Sequence, residues 1–170
     1  MELIELGRLS ERQHAELVGD EEDPWDAGDS TLQWRPKDRH VAVRDDCGRL
    51  LAAAGLVVVD VGFGEQQATP VVGIGGVIVA APHRGRGLGG RVISEAVRRA
   101  RDLGPEIAML FCLPDRAELY RRHGFAEVAE PVLADQADGV VTMPPVTMWR
   151  PLKDGVTLPG GVVKIHGLPF

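Results

Sequence analysis

The chain has 170 residues, 44% hydrophobic and 26% charged, which fits one domain over 1–170 with a sizeable core and excludes wholesale disorder. Its net charge of −6 argues against a phosphate-backbone binder, so no nucleic-acid partner is expected, and is compatible with a cationic substrate drawn into a negative cleft. Cys47 and Cys112 are too few for a disulfide scaffold, no charged-then-apolar leader opens the chain, and the apolar runs at 50–59 and 71–81 fall short of the ~18 residues of a membrane span, so a cytoplasmic protein without a membrane partner is expected.

Taken in order, residues 3–6 read as a short edge strand, and Ser10 as the N-cap of a helix over 11–18. An acidic stretch over 20–29, broken by Pro24 and Gly28, reads as a loop. Strands follow at 40–44 and 50–61, joined by the turn chemistry of Asp45-Asp46-Cys47-Gly48. A third strand at 71–79 contains Gly73, Gly75 and Gly76, which suggest a bulge or the close approach of another backbone. From Leu88 to Leu103 the apolar period becomes helical, with arginines on the other face, ending at Gly104-Pro105. A buried strand at 107–113 leads to a short helix capped by Asp115 with Glu118 as capping-box partner and Gly124 as its stop. Strands at 126–129 and 146–150, and a tail at 155–170 turning as a hairpin about Pro159-Gly160-Gly161, complete the chain. The crossover from 71 to 113 makes those two strands parallel, whereas tight turns make the earlier ones antiparallel. The expected class is α/β with a mixed, mostly antiparallel sheet, a central parallel pair and helices on both faces.

The segment His83-Arg84-Gly85-Arg86-Gly87-Leu88-Gly89-Gly90 carries the chemistry. Its glycines let the backbone approach a ligand, and the free N–H groups of the helix start form an anion site suited to phosphate. Gly85, Gly87 and Gly90 satisfy the dinucleotide pattern G-x-G-x-x-G, yet Pro82 and its neighbours separate them from the strand, and Phe111 and Cys112 stand where an acidic residue is needed. The P-loop pattern is absent. Arg84, Gly87 and Gly89 instead meet Arg-x-x-Gly-x-Gly, and a second motif follows in Ala117-Glu118-Leu119-Tyr120-Arg121-Arg122-His123-Gly124-Phe125.

These two motifs, spanning a core of 71–128, resemble the GNAT superfamily of acetyl-CoA-dependent N-acetyltransferases. The resemblance implies that the main chain of Val77, Ile78 and Val79 pairs with the pantetheine arm of acetyl-CoA. It implies that Gly85, Arg86, Gly87, Leu88, Gly89 and Gly90 offer N–H groups to the pyrophosphate, with Arg84 supporting the loop. An N–H near Val77 would hold the thioester oxygen. Tyr120, the only tyrosine, would be the general acid to the CoA thiolate, because a phenol near ~10 keeps its proton above a thiol near ~8.5. The family often has an asparagine where Asp115 stands. The layout of 131–170, with its late strand, is reminiscent of the aminoglycoside 2′-N-acetyltransferase branch, which nominates cationic amines.

The implied function is direct acetyl transfer to a primary amine, on a small molecule or peptide, in a ternary complex. A general base is not legible: relatives carry a glutamate where this chain reads Gly73-Ile74-Gly75-Gly76. The acceptor loop offers Asp20, Glu21, Glu22, Asp23, Asp26 and Asp29, or the proton leaves through water. His83 and His123 read as surface residues and Cys112 as a buried structural cysteine rather than a nucleophile. No metal is expected, and the family habit of pairing through late strands points to a homodimer through 146–150 or the tail. The rival reading is a non-catalytic acyl-CoA-binding or regulatory module, and a third is a dinucleotide-binding protein.

Overall fold

The computed structural model describes residues 1–21 and 31–170. Its elements are β1 (Glu2–Leu6), α1 (Glu11–Val18), β2 (Arg39–Arg44), β3 (Leu50–Phe63), β4 (Thr69–Val79), α2 (Leu88–Asp102), β5 (Ile107–Cys112), α3 (Ala117–Arg121), β6 (Ala126–Glu127), β7 (Val132–Gln136), β8 (Gly139–Thr142), β9 (Val146–Pro151) and β10 (Val163–Ile165). The ten strands form one sheet in the order β6-β9-β5-β4-β3-β10-β7-β8, with β1 and β2 added beside the first half of β3.

The long β3 organises this sheet. Its run of alanine, leucine and valine from Leu50 to Val57 is buried on both faces, as a central strand requires, while Val58 and Asp60 further along are exposed. The first half pairs with β2, the end with β10, and the other edge with β4, all antiparallel. After β4 the chain crosses over through α2 and returns as β5, parallel to β4 as the crossover predicts. A second parallel pair, β10 with β7, was not foreseen.

Helices cover both faces. The apolar stripe of α2, Val92, Ile93, Ala96, Val97 and Ala100, packs on Val41, Val43, Ala54, Leu56, Val72 and Ile74. On the opposite face, Leu17 of α1 meets Ala42, Leu50, Ala53 and Ile78. Ser10 caps α1 reciprocally with Gln13, satisfying two donors that the first turn would otherwise leave bare.

Three expectations change. The tail does not fold back on itself: 163–165 insert as β10 between β3 and β7, a strand position won by long-range pairing rather than by a local turn. Asp115 gives no side-chain cap; Pro114 starts a 3₁₀ turn, and α3 begins only at Ala117. The strand expected at 126–129 is two residues long. Conversely, β7 and β8 form an antiparallel hairpin outside the expected elements.

Candidate active site

The parallel contact between β4 and β5 is brief. Only Val72 with Ala108 and Gly73 with Met109 are in register; beyond them β4 pairs with β3 alone and β5 with β9 alone. The cause lies in β4, where the register against β3 shifts between Ala53 and Gly55, so that Gly76 and Val77 together face Ala54. Gly76 has φ of +58°, a conformation that costs a side-chain-bearing residue about 1 kcal/mol or more. Beyond Gly73, the main chain of β4 at Val77, Ile78 and Val79 therefore has no ladder partner on the β5 side.

A 3₁₀ turn at Ala81–His83 carries the chain from β4 to the start of α2. Gly85 and Gly87 lie at φ of +74° and +76°, and a Cβ built on either meets nothing within 4 Å, so the loop is open to solvent. Gly87 occupies the N-cap position without a side chain to satisfy the N–H groups of Leu88, Gly89 and Gly90. Such a bare terminus favours an anion. Arg84 braces the loop: its Nε donates to Val79 O at 3.1 Å, and its two terminal nitrogens donate to Glu21 at 2.8 and 2.6 Å. Arg86 and His83 are in contact at 3.3 Å, and Leu88 is buried in the core under α2.

Tyr120 projects from α3 into the core, its ring edge-on to Phe125 at 6.1 Å. Burial, and secondarily Cys112, pushes its phenol well above the ordinary value, so it stays protonated. Cys112 at the end of β5 donates to Met148 Sδ at 3.7 Å, and burial pushes the thiol up to about 11. His123 is not simply a surface residue: it is half-buried, bonded to Ser94 Oγ at 3.1 Å and set over Gly90, fastening α3 to the first turn of α2. Arg150 adds to this clasp through the His123 carbonyl and lies over the Phe125 ring at 5.7 Å.

On the face of β4 that carries Gly73 and Gly75, the missing side chains are replaced from elsewhere. The Phe170 ring fills the space at Gly73, stacking against Phe111, which in turn meets Trp34. Gly55 and Gly75 are opposite each other, and the stem of Lys37 lies across both. Lys37 Nζ donates to Arg35 O at 2.9 Å, and burial, with the Arg35 charge as a second cause, lowers its pKa to about 8. Lys37 had no signal in the sequence. Its placement depends on Gly55 and Gly75 falling into register.

Among the carboxylates proposed as base, Glu21 is held by Arg84 and Asp20 is exposed; Glu22, Asp23, Asp26 and Asp29 lie outside the described residues. A cavity of about 490 Å³ lies elsewhere, between β1, β2 and the end of α2, and includes Glu5, His40 and Arg99. No His, Cys, Asp or Glu group able to hold a metal occurs among the described residues. Nor is any described helix long and apolar enough to cross a membrane.

The sequence profile described as the acetyltransferase (GNAT) family matches residues 7–125. A glucosamine 6-phosphate N-acetyltransferase of Oryza sativa subsp. japonica is 39% identical over 92 residues, which are 53% of this chain and 54% of that one. The match thus spans about half the length of that relative. A GNAT family N-acetyltransferase (YhbS) from Escherichia coli, solved in complex with CoA, superposes with a TM-score of 0.62 at 18% identity, covering 99% of this chain and 96% of the other. A phosphinothricin acetyltransferase from Sinorhizobium meliloti, solved with AcCoA, gives 0.57 at 17% identity over 94% of each chain. These two likenesses establish the fold.

Proposed function

Because the chain belongs to the acetyltransferase (GNAT) family, whose cosubstrate is acetyl-CoA, we propose that it transfers the acetyl group to a primary amine by direct attack in a ternary complex. The observation that carries this reading is the edge of β4 left unpaired by β5 past Gly73, together with the uncapped start of α2. A thioester arm fits the first, and a pyrophosphate fits the second.

Bound acetyl-CoA supplies an activated acyl carbon and a thiolate leaving group. The chain does the rest. Main chain at Val77, Ile78 and Val79 pairs with the pantetheine arm, and Gly85, Arg86, Gly87, Leu88, Gly89 and Gly90 donate N–H groups to the pyrophosphate. Arg84 keeps that loop tied to β4 and to Glu21. A main-chain N–H near Val77 polarises the carbonyl, a type of contact whose loss typically costs ~10²–10³ in turnover. Tyr120, raised in pKa by burial, gives its proton to the departing thiolate.

The acceptor is a small molecule or peptide amine. The curated relative's own name, an acetyltransferase of glucosamine 6-phosphate, makes amino-sugar phosphates the first acceptors to try, ahead of aminoglycosides. Calorimetric titration with acetyl-CoA, with NAD for comparison, followed by a thiol-release screen of primary amines, tests the reading. Acetyl-CoA binding without thiol release would instead support a binding module, favoured by the absence of a carboxylate at Gly73 and Gly75. A cytoplasmic homodimer joined through 146–150 or the tail belongs to the same reading; a solution mass of 18.3 kDa by light scattering would remove the dimer.

A further inference from the structure

Acetyl transfer needs the acceptor amine to be neutral when it attacks, yet the face of β4 that carries Gly73 and Gly75 offers no side chain able to take a proton. The space above that strand is not empty. Gly55 of β3 and Gly75 of β4 face each other, and a Cβ on Gly55 would collide with Lys37 Cγ, while one on Gly75 would lie 2.8 Å from Lys37 Cε. The two glycines therefore form a slot, and the lysine stem is seated in it, with Cε over Gly75, the residue before the bulge, and Nζ bonded to the Arg35 carbonyl. The stem is fixed by packing on backbone, so the amine is placed rather than free to wander.

We propose that Lys37 is the base of the reaction, taking the proton from the acceptor's ammonium beside the β4 bulge. This rests on the acetyl-transfer reading above. Neutral Lys37 donates one N–H to the Arg35 carbonyl and keeps its lone pair for the acceptor. The acceptor nitrogen, once it has lost a proton to Lys37, forms the C–N bond as the C–S bond breaks. Tyr120 gives its proton to the sulfur, and the second proton on the new amide nitrogen returns through water to the phenolate. One acetyl-CoA and one ammonium yield amide, CoA thiol and one proton, which Lys37 releases to solvent.

The surroundings suit a lysine that must lose its proton. The charged and titratable groups facing it are Arg35 on its own segment and His40 on β2. The packed strands present glycine there, and the tail presents the terminal carboxyl group of Phe170, whose C and O lie 3.0 and 3.3 Å from the same Cβ position on Gly75. No carboxylate within the described residues pairs with it, whereas Lys153 pairs with Glu106 and Lys164 with Asp135. With burial and Arg35 lowering its pKa to about 8, a large fraction is neutral under mildly alkaline conditions, and general bases work best when their pKa lies near the working pH.

The chain has only three lysines, so ¹³Cε-lysine labelling gives three resonances, and Lys37→Met assigns the relevant one. Its titration midpoint is expected near 8, moving when CoA is added. In thiol-release assays with glucosamine 6-phosphate and with an aminoglycoside, wild-type kcat is expected to rise through the same midpoint for both amines. Lys37→Met, which still fills the slot, and Lys37→Arg, which keeps the charge, should each lower kcat ~10²-fold or more and lose that limb, with thermal midpoints near wild type. A Lys37 midpoint in the ordinary lysine range near ~10.4, or a Lys37→Met enzyme that keeps its kcat and its limb, overturns the base assignment alone. A wild-type chain that binds acetyl-CoA but releases no thiol with any amine overturns the acetyl-transfer reading and the base with it.

Discussion

The ring of Phe170 stands where a side chain on Gly73 would have to go: a Cβ built on Gly73 lies 2.4 Å from Phe170 Cγ. A side chain at Gly73 is therefore sterically excluded here, because Phe170 is itself buried against Phe111 and cannot retreat cheaply. Gly73→Ala is expected to destabilise the fold by about 1–3 kcal/mol, a loss of roughly 2–10 °C in Tm, and Gly73→Glu to do worse rather than to add a base. Thermal unfolding of the two variants checks this; an unchanged midpoint for Gly73→Ala would show that the ring yields.

Tyr120 packs edge-on to Phe125, so Tyr120→Phe removes one oxygen and leaves the ring contact in place. Turnover is expected to fall ~10²–10⁴-fold while acetyl-CoA affinity and Tm hold. Because burial raises the phenol, wild-type activity should show no alkaline decline from Tyr120 over the usual range: the acid form persists as pH rises. Rate and calorimetric titration on the same preparation separate the two quantities. An undiminished kcat would take the acid role away from Tyr120.

The sheet and α2 were readable because their apolar periods are long: fourteen residues in β3 and fifteen in α2 leave little ambiguity. The glycine-rich start of α2 was readable because glycine spacing and a helix start are both local. What escaped depends on distant partners. Three residues make β10, and their place is set by Phe63 on one side and Val132 on the other. Asp115 follows a proline, and Pro114 locks the turn that displaces the cap. The Glu21 to Arg84 pair and the seat of Lys37 join segments far apart in the chain, and no spacing rule announces either.

Gly87 tests the anion site separately from the chemistry. At φ of +76° and ψ of 4° it is left-handed, and an alanine there carries about 1–2 kcal/mol of strain although its methyl meets nothing. Relief of that strain turns the N–H groups of the first turn away from the pyrophosphate. Gly87→Ala is therefore expected to weaken acetyl-CoA binding about tenfold, which corresponds to ~1.4 kcal/mol, with kcat at saturation little changed. Calorimetry with acetyl-CoA measures the first and saturation kinetics the second.

Cys112 and Cys47 should part company towards a thiol reagent. Cys47 is exposed in the turn between β2 and β3, while Cys112 is buried with its thiol donated to Met148. Burial, followed by Glu127, raises the Cys112 pKa from 9.0 to about 11, so the thiolate needed for reaction is scarce at neutral pH. One thiol is expected to react quickly in the native protein and the second only on unfolding. A thiol raised in the folded state contributes its stability fully below about pH 9, and that contribution is lost as pH rises toward 11. Cys112→Ala should consequently flatten the decline of stability between those limits. It should also leave acetyl transfer intact, since a thiol held protonated beside Met148 is a poor nucleophile; an inactive, folded Cys112→Ala would instead indicate an acetyl-cysteine intermediate.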